Sequence, residues 1–99
     1  MKVIKRKQLV DFYNLPGRED SERALLRWYQ LASESEWRHI NDIKNDILSV
    51  DYVGNKRYVF NICGNKYRLV CKINFNNQYI FIRFVGTHSE YDKIDVRNI

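Results

Sequence analysis

Proline is almost missing from this 99-residue chain, which has one at Pro16, and glycine is scarce, with four. Collagen-like and low-complexity architectures are excluded, and 44% hydrophobic with 14% aromatic residues calls for a folded core. Long apolar runs are absent too. No stretch approaches the roughly 18 to 20 residues that span a bilayer, and Met1–Asn14 has no apolar centre or small-residue cleavage site. A cytoplasmic protein with no membrane contact is expected. Cysteine is limited to Cys63 and Cys71, whose spacing matches no zinc pattern; both are expected to be buried, unpaired strand thiols. With two distant histidines and no clustered carboxylates there is no ligand set for zinc or magnesium, so no metal or other cofactor is expected. The glycines occur singly and form no phosphate-cradling loop, which argues against nucleotide hydrolysis.

Carboxylates vanish altogether between Asp51 and Glu90, whereas Lys56, Arg57, Lys66, Arg68, Lys72, Arg83 and the titratable His88 all lie there. The formal net charge of +5 is therefore concentrated in the second half of the chain. A surface of one sign repels itself and gains from an anionic ligand, which points to a nucleic acid.

At this length residues 1–99 are expected to form a single domain. Met1–Ile4 reads as a short strand, and Leu9, Val10 and Tyr13 mark a first short helix that Asn14-Leu15-Pro16-Gly17 ends. Acidic residues over Arg18–Glu22 precede Leu25, Trp28, Tyr29 and Ala32 at helical spacing, giving a second helix. Trp37, Ile40, Ile43 and Ile47 predict a third. From Tyr52 the period becomes two, and three strands are expected: about Arg57–Cys63, Lys66–Phe75 and Tyr79–Thr87, turning at Gly64-Asn65 and Asn76-Asn77. Alternation puts Leu69, Cys71, Ile73 and Phe75 on one face and Arg68, Val70, Lys72 and Asn74 on the other. It likewise sets Ile80, Ile82 and Phe84 against Phe81, Arg83 and Val85. Arg68, Lys72 and Arg83 would share an open face, and the helices would cover the opposite one.

Three segments, Tyr58–Val70, Tyr79–Arg83 and Thr87–Asp92, resemble the HigB toxins, chiefly through the patterns G-N-x-Y-R (Gly64–Arg68) and T-H-x-E-Y-D (Thr87–Asp92). The resemblance implies an α+β, RelE-like fold: a short N-terminal strand and two to three helices packed on one face of an antiparallel β-sheet. It also implies a type II toxin that cleaves translated mRNA on the ribosome. Its partner would be a HigA-like helix-turn-helix antitoxin, through which alone operator DNA would be contacted.

Metal-free RNA cleavage needs proton transfer to and from the 2′-hydroxyl and 5′-oxygen, and a cation for the phosphorane. His88 exchanges protons near neutrality, Tyr91 lies one turn on, and Arg68 can fork two phosphate oxygens. These three are the candidate catalytic residues, and the resemblance maps all of them onto functional positions. Lys56, Arg57, Lys66, Lys72 and Arg83 are the candidate RNA-binding cations, joined by Asn65, which falls in the matching turn. Glu90 and Asp92 are expected to be solvated. The rival reading is a non-catalytic RNA- or ribosome-binding module built on the same cations and aromatics, and a RelE-fold relative acting on a topoisomerase is a third.

Overall fold

The computed structural model describes all of residues 1–99. Its elements are β1 (Lys2–Ile4), α1 (Lys7–Tyr13), a 3-10 turn (Glu19–Ser21), α2 (Glu22–Glu34), α3 (Ile40–Asp46), β2 (Asp51–Gly54), β3 (Arg57–Ile62), β4 (Tyr67–Asn74), β5 (Tyr79–Thr87) and α4 (His88–Tyr91). The five strands form one sheet in the order β1-β5-β4-β3-β2. The architecture is α+β, as expected, with two differences. Asp51–Gly54 is an additional strand; it is too short and too exposed to show alternation. In addition β1 joins the edge of β5 in parallel, so the sheet is mixed.

The helices cover one face because their apolar residues recur every three or four positions. Leu25, Trp28 and Ala32 of α2, Leu9 and Phe12 of α1 and Ile43 of α3 are buried against Phe60, Ile62, Tyr67, Leu69, Cys71, Ile73, Ile80 and Ile82. Each such aliphatic or aromatic side chain contributes about 1.5–3 kcal/mol by leaving water. Edge-on ring pairs fix the layers, Trp28 with Phe60 at 5.4 Å and Phe12 with Tyr67 at 5.3 Å between centroids. The indole N–H of Trp37 donates to Asp46 at 2.8 Å, tying the start of this segment to the end of α3.

Simple alternation fails at one place. Val70 pairs with Phe84 and Cys71 with Ile82, so Arg83 is an extra residue, a β-bulge. Past the bulge the faces exchange: Val85 turns to the core side opposite Leu69, and Phe84 turns outward opposite Val70. The hairpin turns are also longer than two residues. Cys63–Lys66 forms a four-residue loop with Cys63 and Gly64 both at positive φ, and Cys63 is exposed, whereas Cys71 is buried as expected.

The outer face of the sheet is not bare. Residues 92–99 return across it from α4 to the β2–β3 turn, where the Arg97 Nε donates to the Val53 carbonyl at 2.8 Å and Asn55 Nδ2 to the Arg97 carbonyl at 2.8 Å. The Arg57 guanidinium donates to the Ile99 carbonyl. A segment tied at both ends must pass over β4 and β3. Accordingly Val59 and Val70, which lie outside the helix-packed core, are only 5% and 0% exposed.

Candidate nucleic-acid interface

Register defines what the outer face carries. Arg57 pairs with Lys72, Asn61 with Arg68, Lys72 with Phe81, Val70 with Phe84, Arg68 with Gly86 and Asn74 with Tyr79. Paired residues share a side, so β4 contributes Arg68 and Lys72 while β5 lays Tyr79, Phe81 and Phe84 alongside them. Tyr79 and Phe81 stand 6.0 Å apart, and the Arg83 guanidinium lies 5.7 Å from the Phe81 ring centroid. Cations interleaved with half-exposed rings suit a strand of phosphates and bases.

Gly86 is demanded by this packing. A Cβ at that position would lie 2.5 Å from Cζ of Phe84 and 3.0 Å from Oε1 of Glu90. Only a residue without a side chain lets the Phe84 ring fold over the strand opposite Arg68.

The three candidate catalytic residues gather at one end of this face. Arg68 donates through Nη1 to the carbonyls of Asn65 (3.1 Å) and Tyr67 (3.4 Å). It takes part in no ion pair, so the rest of its guanidinium is free for an anion. His88 begins α4 immediately beyond the Tyr67–Thr87 pair, and its N–H donates to the Lys66 carbonyl at 3.3 Å. Its Nδ1 faces Asp92 Oδ2 at 3.3 Å, which leaves Nε2 without a protein partner. Tyr91 closes the same turn and sets its ring 6.4 Å from that of Phe84. Asp92 is thus engaged with His88, and Glu90, expected to be solvated, accepts from the Thr87 N–H at 2.7 Å.

The candidate RNA-binding residues divide. Lys72 lies on the outer face and forms no ion pair. Asn65 sits in the loop beside Arg68, its side chain accepting from Asn61 at 3.1 Å. Lys56 is exposed in the β2–β3 turn, at the end of the sheet away from His88. Arg57 is 8% exposed, and its guanidinium serves the carbonyls of Asn55 and Ile99. Lys66 is held on the helical side by Asp20, which also accepts from the Tyr67 hydroxyl at 2.6 Å. That pairing holds the Asp20 carboxyl below its usual range, chiefly through Lys66 and then Tyr67, and pushes the Lys66 ammonium up. Arg83, at the bulge, borders a hollow with Gln8, Asp11 and Leu15 of the first helix and its following loop, its Nε buried and unpartnered. Sequence reasoning missed Phe84 because the bulge is not visible in an alternation count. It missed Glu90 although T-x-x-E is a capping signature.

A small α+β protein with a cationic, aromatic sheet face and a His–Tyr turn at its end has the build of a RelE-like toxin. Comparison with known sequences makes the class specific: residues 21–94, from the start of α2 through α4, match the HigB toxin family, the RelE-like toxic component of a toxin-antitoxin system. An mRNA interferase HigB from Escherichia coli O6:H1 is 30% identical over 73 residues, 72% of this chain and 71% of that relative. The mRNA interferase toxin HigB of Escherichia coli K12 and the mRNA interferase HigB of Shigella flexneri are each 50% identical over 38 residues, 38% of this chain and 36% of theirs. The chain belongs to the HigB toxin family. Membership implies an antitoxin counterpart, and no helix is long and apolar enough to cross a membrane.

Proposed function

We propose that this toxin is an endoribonuclease that cuts translated mRNA on the ribosome by metal-independent transesterification in the cytoplasm. The observation that carries the reading is the meeting of Arg68, free of any carboxylate, with the turn bearing His88 and Tyr91 at one end of the outer face. The 2′-oxygen attacks the adjacent phosphorus, the bond to the 5′-oxygen breaks, and the products are a 2′,3′-cyclic phosphate and a 5′-hydroxyl. Arg68 grips the non-bridging oxygens, whose charge rises in the phosphorane, and such clamps supply much of the barrier reduction in phosphoryl chemistry. His88, oriented through Nδ1 by Asp92, moves a proton at Nε2, and Tyr91 provides the second proton-transfer group at its phenolic oxygen. Lys72, Phe81 and Tyr79 continue the track for flanking phosphates and bases, with Lys56 and Arg83 at its margins and Asn65 in the loop beside Arg68. Lys66 and Arg57 hold the scaffold around it. A HigA-like helix-turn-helix antitoxin would restrain the toxin and contact operator DNA on its behalf.

Primer extension on mRNA from a translation reaction tests this. New 5′ ends are expected with the parent, falling about 10²- to 10³-fold in rate with Arg68→Ala and by a similar factor with His88→Ala. Undiminished cutting by both variants refutes the mechanism. Salt-sensitive RNA binding with no cutting by the parent identifies the binding-module reading instead.

A further inference from the structure

A single helical turn is not stable alone, because ordering its backbone costs more than one or two hydrogen bonds return. Yet α4 is four residues long and carries both His88 and Tyr91. Thr87 and Glu90 close a reciprocal capping box around it. Thr87 Oγ1 accepts from the Glu90 N–H at 3.1 Å, and Glu90 Oε1 accepts from the Thr87 N–H at 2.7 Å. The same Oε1 lies 4.0 Å from Nη2 of Arg18. Arg18 comes from the helical layer, between α1 and the 3-10 turn. It is pinned there by the Phe12 ring, 5.9 Å from its Cζ, and by Ser21, whose hydroxyl donates to its carbonyl at 2.7 Å. Glu90 is therefore the one carboxylate that joins the cap of α4 to the opposite layer.

We propose that Glu90, backed by Arg18, is a positioning residue that sets the turn bearing His88 and Tyr91 against Arg68; its part in catalysis rests on the nuclease reading above. Glu90 does not face the outer track, and it touches neither RNA nor a reacting atom. Bonding to the Thr87 amide holds its carboxyl below the usual range, with Arg18 and Lys93 adding attraction, so the clamp is charged at neutral pH. Glutamine also closes a capping box, which separates the two functions of the side chain: Glu90→Gln keeps the cap and loses the pull of Arg18, while Glu90→Ala loses both.

Single-turnover cleavage and amide hydrogen exchange decide the matter. Glu90→Ala is expected to lower kcat about tenfold with KM within about twofold, because the loss falls on geometry and not on RNA contact. Glu90→Gln and Arg18→Met should each lower it about threefold, and the double variant should do no worse than either, since both break one link. The Asp92 amide, which donates to the His88 carbonyl at 3.1 Å, should exchange faster in Glu90→Ala while core amides keep their rates. Parental kcat in Glu90→Ala, a change confined to KM, or unaltered exchange at Asp92 each overturns the proposal. Should the parent itself fail to cut RNA, the nuclease reading falls, and the exchange rates alone uphold or overturn the clamp.

Discussion

Replacing Gly86 with alanine adds one methyl group at the most crowded point of the outer face. The new Cβ would sit 2.5 Å from Cζ and 3.2 Å from Cε1 of Phe84, and 3.0 Å from the Glu90 carboxylate. Carbon atoms settle near 3.5–4.0 Å, so the ring has to retreat by about 1 Å or more. Retreat means turning Phe84 away from its rotamer or off the sheet, which together with overpacking costs about 1–2 kcal/mol. For a domain of this size that lowers Tm by about 4–15 °C. Thermal unfolding of Gly86→Ala measures the loss, and a cycle with Phe84→Leu assigns it. The smaller side chain should restore much of the stability, giving a coupling energy of about 1 kcal/mol. An unchanged Tm in Gly86→Ala, or strict additivity in the cycle, would show that Phe84 does not lie where this packing puts it.

Two further outcomes follow from the charges. Lys72→Ala should weaken RNA binding without altering the fold, and in a salt titration the slope of log affinity against log salt should shrink by about 0.7, the share of one phosphate contact on a single strand. Asp20→Asn removes the anion shared by Lys66 and Tyr67. Because the Asp20 carboxyl is held below its unfolded value in the folded protein, its contribution is present above the ordinary carboxylate range and disappears as pH falls through the lowered value. Urea midpoints of the parent should thus converge on those of Asp20→Asn in acid and separate towards neutrality; a constant gap across that range would contradict the pairing.

Much of this molecule is legible in its residues because two periodicities dominate. Leu25, Trp28 and Ala32 announce a helix packed on one side, and Tyr67 to Asn74 alternate so regularly that the sides of Arg68 and Lys72 follow at once. What escapes is set by tertiary contacts. Nothing local in Tyr79–Thr87 reveals that Arg83 is looped out, so Phe84 and Val85 are assigned to the wrong sides by counting. Lys66 and Arg57 look like free cations until the fold brings Asp20 and the Ile99 carbonyl to them. Leu48, fully apolar yet 85% exposed, shows the reverse case, where the pattern alone calls for burial.

The extra residue in β5 also determines how this strand tolerates changes of length. Since Ile82 and Phe84 already face the partners that a regular ladder would give them, excising Arg83 would leave both neighbours in step with β4. Loss of any residue between Phe84 and Thr87 would instead invert the parity of what remains, sending Val85 outward and swinging the His88–Tyr91 turn to the wrong side. One position in this strand is thus free to come and go, while those beside it are bound to an even count.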